Sequence, residues 1–223
     1  MANYKNIIPF IQQQEGGLSK AITDTASAHP VPDGSGYHTN KGITWQTWSG
    51  VFGTGADSIQ RFYNMSEEDW ETIYKKYYWD SIMGDQINSQ RIADTLVNWV
   101  WGSGQYSPVS NLQKILGISA DGAFGNQTLQ AVNAADEPTL YNQLQSTSVN
   151  WFTALGNNPI YAANKTGWLN RLSSLANYVE SSVESGVASV ENTAKQNPAK
   201  LVIAIALLGI GLAVVIQVIR IVH

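Results

Sequence analysis

Cysteine is absent from all 223 residues, so disulfides, thiolate metal sites and a cysteine nucleophile are excluded. Basic residues are scattered and the formal net charge is −4, which leaves no electrostatic footprint for nucleic acid; a nucleic-acid partner is excluded on that ground. The opening Met-Ala-Asn-Tyr-Lys lacks the basic-then-apolar pattern of a secretory signal peptide. Histidines at i, i+4 spacing are missing too. His29 and His38 therefore read as solvated loop residues, and no metal or cofactor is expected. After position 50 no convincing alternation of strand residues appears, so a mainly α fold is expected.

What is abundant is aromatic and apolar. Eight tryptophans and ten tyrosines suit both core packing and stacking on sugar rings. Tyr4, Ile7, Ile8 and Ile11 fall on one face of an opening helix, and that face extends to Glu15, where Gly16-Gly17 reads as the stop. Polar and turn-forming residues dominate from Leu18 to Asn40, which predicts an irregular loop or short hairpin. Ser66 and Asp69 form a capping-box pattern ahead of Trp70, Ile73, Tyr74 and Tyr77. Ala93, Leu96, Val97 and Val100 predict a further helix ending in Gly102-Ser103-Gly104, and shorter helices are expected at 109–116, 126–134, 140–155 and 168–179.

The C-terminal quarter changes character. Val179, Val183, Val187, Val190 and Ala194 recur every three or four residues, which favours a stalk helix over a flexible linker before Asn197-Pro198. From Leu201 to Ile219 the chain is apolar except for Gln217, bracketed by Lys200 and Arg220. At about 1.5 Å per residue such a run matches the roughly 30 Å hydrocarbon core of a bilayer. A single membrane span is therefore expected over 199–222, with a lipid bilayer as partner; Gly209 and Gly211 lack the spacing of a helix-pairing motif. With Lys195 and Lys200 ahead of the span and only Arg220 to His223 beyond it, the head is expected on the cytoplasmic side.

Glu15 breaks the local pattern. A carboxylate on the apolar stripe of a helix is costly to desolvate, and the negative end of the helix adds to that cost. The position thus favours a carboxyl group that keeps its proton, which is what glycoside cleavage asks of its acid. On periodicity alone, a solvated helix-terminal glutamate remains the alternative.

A resemblance separates the two. Glu15-Gly16-Gly17 and Thr39-Asn40-Lys41-Gly42-Ile43-Thr44 are similar to signatures of the glycoside hydrolase family 108 muramidases. Tyr78-Trp79-Asp80 resembles that family's Tyr-Trp-Asp element, and Asn98 to Gly104 its next helix and glycine stop. Leu112-Gln113, Leu116-Gly117, Asp121-Gly122-Ala123-Phe124-Gly125, Thr128 and Ala131-Val132 resemble the peptidoglycan-binding repeat that closes these enzymes; Gly167-Trp168-Leu169-Asn170-Arg171 is similar to their C-terminal helix start. The likeness spans roughly residues 4 to 177 and is specific in its order.

The resemblance implies a lysozyme-like helical domain and Glu15 as general acid. Phage-type lysozymes place an Asp nine residues after that Glu and a Thr shortly beyond, which implies Asp24 to orient or activate water and Thr39 to hold it. The sequence departs from the family in the longer stretch from Thr25 to His38 and in Ala21, where many relatives have Asp. Tyr37, Trp45, Asn98 and Trp99 are candidate sugar contacts, and the Asp121–Gly125 segment reads equally as a glycan-binding lobe or a helix connector. The expected organisation is a lysozyme-like region over 1–107, a peptidoglycan-binding-like region over 108–179, a stalk or linker over 180–198 and the span over 199–222. Peptidoglycan glycan strands are the expected substrate. The expected setting is a phage or prophage product on an internal viral membrane or the bacterial inner membrane, with viral membrane or capsid partners. A membrane-anchored, non-catalytic glycan-binding or virion structural protein is the competing expectation.

Overall fold

The computed structural model describes residues 1–22 and 24–196. They pack as two compact units, Ile8–Asp80 and a second made of Met1–Ile7 with the chain from Ser81 onward.

The first unit opens with α1 (Ile8–Gln14), which buries Ile8, Phe10 and Ile11. Pro9 sits in its first turn, where its missing N–H leaves no bond unmade. The stretch read as an irregular loop or short hairpin, Leu18 to Asn40, leads into a minimal hairpin at its end: β1 (Thr39–Asn40) pairs antiparallel with β2 (Ile43–Thr44), and Ser19 bridges to Thr39 from the other side. Lys41 and Gly42, at φ of 46° and 76°, form the two-residue turn whose positive φ at both positions matches strand twist. Thr44 then caps α2 (Trp45–Phe52) by accepting the Thr47 N–H at 3.2 Å. After α3 (Ala56–Tyr63), α4 (Glu67–Tyr74) begins with the expected capping box between Ser66 and Asp69. A π-helical turn, Lys75–Trp79, continues α4, and an ion pair between Lys75 and Asp80 spans it. Trp48, Phe62, Trp70 and Ile73 are buried in this unit.

The second unit is built on α5 (Gln90–Ser103), α6 (Tyr106–Ile115), α7 (Asn126–Ala134), α8 (Glu137–Gly156) and α9 (Lys165–Gln196). Helix α5 packs on α6, α8 and α9, with Leu96, Val97, Leu112, Leu144, Leu172 and Leu175 buried. Burying a side chain of this size removes it from water for about 1.5–3 kcal/mol. Arg91 on α5 pairs with Glu137 at the start of α8 and lies 4.6 Å over the Tyr141 ring. Helix α9 runs on without a break to Gln196, into the stretch read as a stalk.

Among the described residues no helix is long and apolar enough to cross a membrane. The expected span over Leu201–Ile219 lies outside the described residues.

Candidate active site

Three signature elements meet in the first unit. Glu15 follows the last residue of α1, half-buried, with its N–H donating to Gln12 O at 3.2 Å. The hairpin motif is mostly architecture: Asn40 is buried and donates to Phe62 O at 2.7 Å, Lys41 Nζ donates to Met65 O at 3.0 Å, and Ile43 fills the core. From the turn, an aromatic column runs along α4 into the π turn. Trp70 donates its indole N–H to Lys41 O at 2.9 Å and stacks on Tyr74 at 4.9 Å, and Tyr74 stacks on Tyr78 at 6.1 Å.

Tyr78 ends that column beside Glu15. Burial, and then the nearby Glu15 charge, push its phenol up to about 12. Its hydroxyl thus keeps its proton at any physiological pH. Two segments distant in sequence, the end of α1 and the widened turn after α4, are brought together at one carboxylate. Such π turns recur at functional sites because they re-aim a side chain without ending the helix. Tyr78 was not among the expected site residues. Its signal in the sequence was the Tyr78-Trp79-Asp80 element.

Asp24 is exposed and caps the short 3-10 turn Thr25–Ala28, its Oδ1 accepting the Ala26 N–H at 2.9 Å. Thr39 is half-exposed on β1, and its hydroxyl lies 2.9 Å from His38 Nδ1. The expectation of solvated loop histidines holds for His29 but is corrected for His38, which is 0% exposed. The reason is its backbone: His38 N–H donates to Ser19 O and its carbonyl accepts from Trp45 N–H, which turns the ring inward under the hairpin. The loop is held from the other side by Tyr63, whose hydroxyl donates to Asp33 at 2.6 Å. Hydrogen bonds from Ser35 and Tyr63 keep the Asp33 carboxyl below the usual range.

The candidate sugar contacts fall differently. Tyr37 is half-exposed beside the site loop, under the Lys20 ammonium at 5.2 Å. Trp45 is buried edge-on against Phe62, where it packs and does not reach solvent. Asn98 and Trp99 belong to the other unit and are buried there. Asn98 accepts from Arg171 at 2.9 Å, and Trp99 packs edge-on to Trp151. Helical α5 buries an unbroken run from Ile92 to Val100, so both side chains are enclosed by helix packing.

The polar groups of the Asp121–Gly125 segment are tied to the helix before it. Buried Gln113 donates to Asp121 Oδ1, Ala123 O and Thr128 Oγ1 and accepts the Gly122 N–H, so the motif closes on itself. Gly122 is required there: its φ is +75° and a Cβ would meet the Tyr106 ring at 2.3 Å.

Residues 8–104 match the model of the family described as Glycosyl hydrolase 108. Over that span the chain is similar to the family, and it is a glycoside hydrolase. Glu15, Thr39, Tyr78 and the hairpin all lie within the matched residues of this hydrolase. Residues 107–173 match the family described as Predicted Peptidoglycan domain, which makes it a peptidoglycan-active, lysozyme-like protein. Its fold is similar to the Brucella abortus SagA structure, with 23% identity and a TM-score of 0.63 over 79% of this chain and 93% of that one. No curated protein matches the chain.

Proposed function

We propose that this hydrolase is an N-acetylmuramidase held at a membrane by its C-terminal apolar run. In this reading Glu15 protonates the glycosidic oxygen as the bond to the anomeric carbon breaks, Asp24 orients or activates a water, and Thr39 holds that water. The observation that carries it is the half-buried Glu15 at the end of α1, beside a protonated Tyr78 and inside the span matched to the hydrolase family. The peptidoglycan domain supports the choice of cell-wall glycan as substrate. The uninterrupted apolar sequence from Leu201 to Ile216 supports the anchor. A head facing the cytoplasm is separated from its substrate, which suits a phage or prophage enzyme acting from an internal viral membrane or once the host membrane fails.

The full chain is expected to lower the turbidity of purified peptidoglycan sacculi and to float with phosphatidylethanolamine–phosphatidylglycerol vesicles. A chain ending at Gln196 should clear sacculi equally and stay out of the floated fraction. Intact sacculi would contradict the activity, and flotation of the shortened chain would contradict the anchor.

A further inference from the structure

His38 is a wholly buried polar side chain with a partner at each ring nitrogen. Nε2 lies 3.2 Å from Ala21 O, and a carbonyl oxygen can only accept, so Nε2 carries the hydrogen. In the neutral ring Nδ1 is then bare, and at 2.9 Å it accepts from the Thr39 hydroxyl. The hydroxyl proton is committed inward. What Thr39 presents on its half-exposed side is therefore an oxygen lone pair.

The same histidine reaches the other candidate. Ala21 O also accepts the Asp24 N–H at 3.0 Å, and the turn so formed is the one that carries the Asp24 carboxylate. One ring thus ties the orientation of the Thr39 hydroxyl to the turn bearing Asp24, across 17 residues of sequence. A water attacking an anomeric carbon must aim a lone pair at that carbon, and donating both of its hydrogens to fixed acceptors holds it in that orientation. A carboxylate and a hydroxyl oxygen that both accept can supply those two acceptors.

We propose that His38 is a positioning residue: it fixes Thr39 as an acceptor and steadies the Ala21–Asp24 turn, so that the nucleophilic water donates to both Asp24 and Thr39. This rests on the reading of Asp24 and Thr39 as the water-holding pair. Protonation of the ring would reverse the polarity, since Nδ1–H would then donate to Thr39 and turn its hydroxyl proton outward. The ring acts through Thr39 and does not touch the sugar.

The test uses the full chain on purified peptidoglycan. Glutamine at position 38 can place an amide N–H where Nε2 stands but offers no acceptor at the Nδ1 position. His38→Gln is expected to lower kcat about tenfold, the worth of one oriented hydrogen bond, with KM little changed. In a Thr39→Val background the same change should cost nothing more, whereas Thr39→Ser, which retains the hydroxyl, should restore coupling to position 38. Histidine ¹⁵N NMR of the unsubstituted protein gives a reading independent of whether buried His38 tolerates replacement. It should show the Nε2–H tautomer, with an Nδ1 signal that moves in Thr39→Val.

An Nδ1–H tautomer overturns the proposal. So does an equal loss from His38→Gln with and without the Thr39 hydroxyl, while Thr39→Val itself slows the enzyme; that pattern leaves the water-holding pair standing. Full kcat in Thr39→Val removes the pair as well, and the two failures are thereby told apart.

Discussion

Glu15→Gln is expected to lower kcat on peptidoglycan about a thousandfold, within the range that a general acid supplies. Glutamine keeps the volume and polarity of the side chain but has no proton to give to a leaving oxygen. Because Glu15 stands outside α1 and is only half-buried, the variant should fold and melt like the parent. A second readout is independent of substrate. The Tyr78 phenol is raised by burial and also by the Glu15 charge, and removing a negative charge favours the phenolate, so Tyr78 should titrate below about 12 in the variant. Asp24→Asn is the companion change. Asparagine caps a helical turn as well as aspartate does, so a fall in kcat there reports the lost charge and not a lost cap. Unchanged turnover in Glu15→Gln, measured by release of soluble muropeptides, would dismiss the acid assignment.

The second large effect lies in the other unit and concerns stability. Asp94 on α5 is buried; that burial pushes its carboxyl up to about 8, against the pull of a hydrogen bond from Gln90 Nε2 at 2.7 Å. In the unfolded chain the same group titrates near its ordinary value of 3.8. Between those two values the folded protein holds a proton that the unfolded chain has released. Stability from this site is therefore fully present below about pH 4 and is lost as pH rises toward 8, at roughly 1 kcal/mol per pH unit. Asp94→Asn removes the slope while leaving an oxygen to accept from Gln90. Thermal melts at pH 5, 6, 7 and 8 should show the parent falling by roughly 2–4 °C per unit and the variant nearly level. Parallel curves for the two proteins would contradict a protonated Asp94.

Asp69 works with the opposite sign and in another window. Burial acts to raise it, but hydrogen bonds from Arg61 and Ser66 outweigh burial and hold it low. Its contribution is present above about pH 4 and is lost only below that. The two effects do not overlap between pH 5 and 8.

Much of this was legible in the sequence where physics is local. The Ser66–Asp69 capping box and the ends of α7 are set by neighbours a few residues away. Helices α2 and α3 were not foreseen: each has eight residues, too short for periodicity to stand out beside Gly50, Gly53 and Gly55. The site divides the same way. Glu15 showed itself as a charge on an apolar stripe, whereas Tyr78 reaches it through a stack of rings and a π turn that a regular helical wheel does not contain. Burial misled in both directions. Trp45 and Trp99 were candidates for sugar and are enclosed, while His38 was read as solvated and is sealed beneath the hairpin. Burial at such positions is decided by long-range pairing, here of Ser19 with Thr39 and of α5 with its neighbouring helices. No short window of residues reports it.

The most direct measurement is the chemistry of the cut ends. Purified peptidoglycan digested by the full chain, reduced with borohydride and examined by mass spectrometry, should yield muropeptides ending in reduced N-acetylmuramic acid, with none formed by Glu15→Gln. Fragments ending in reduced N-acetylglucosamine or in anhydro-muramic acid would contradict the muramidase account, as would an undigested wall.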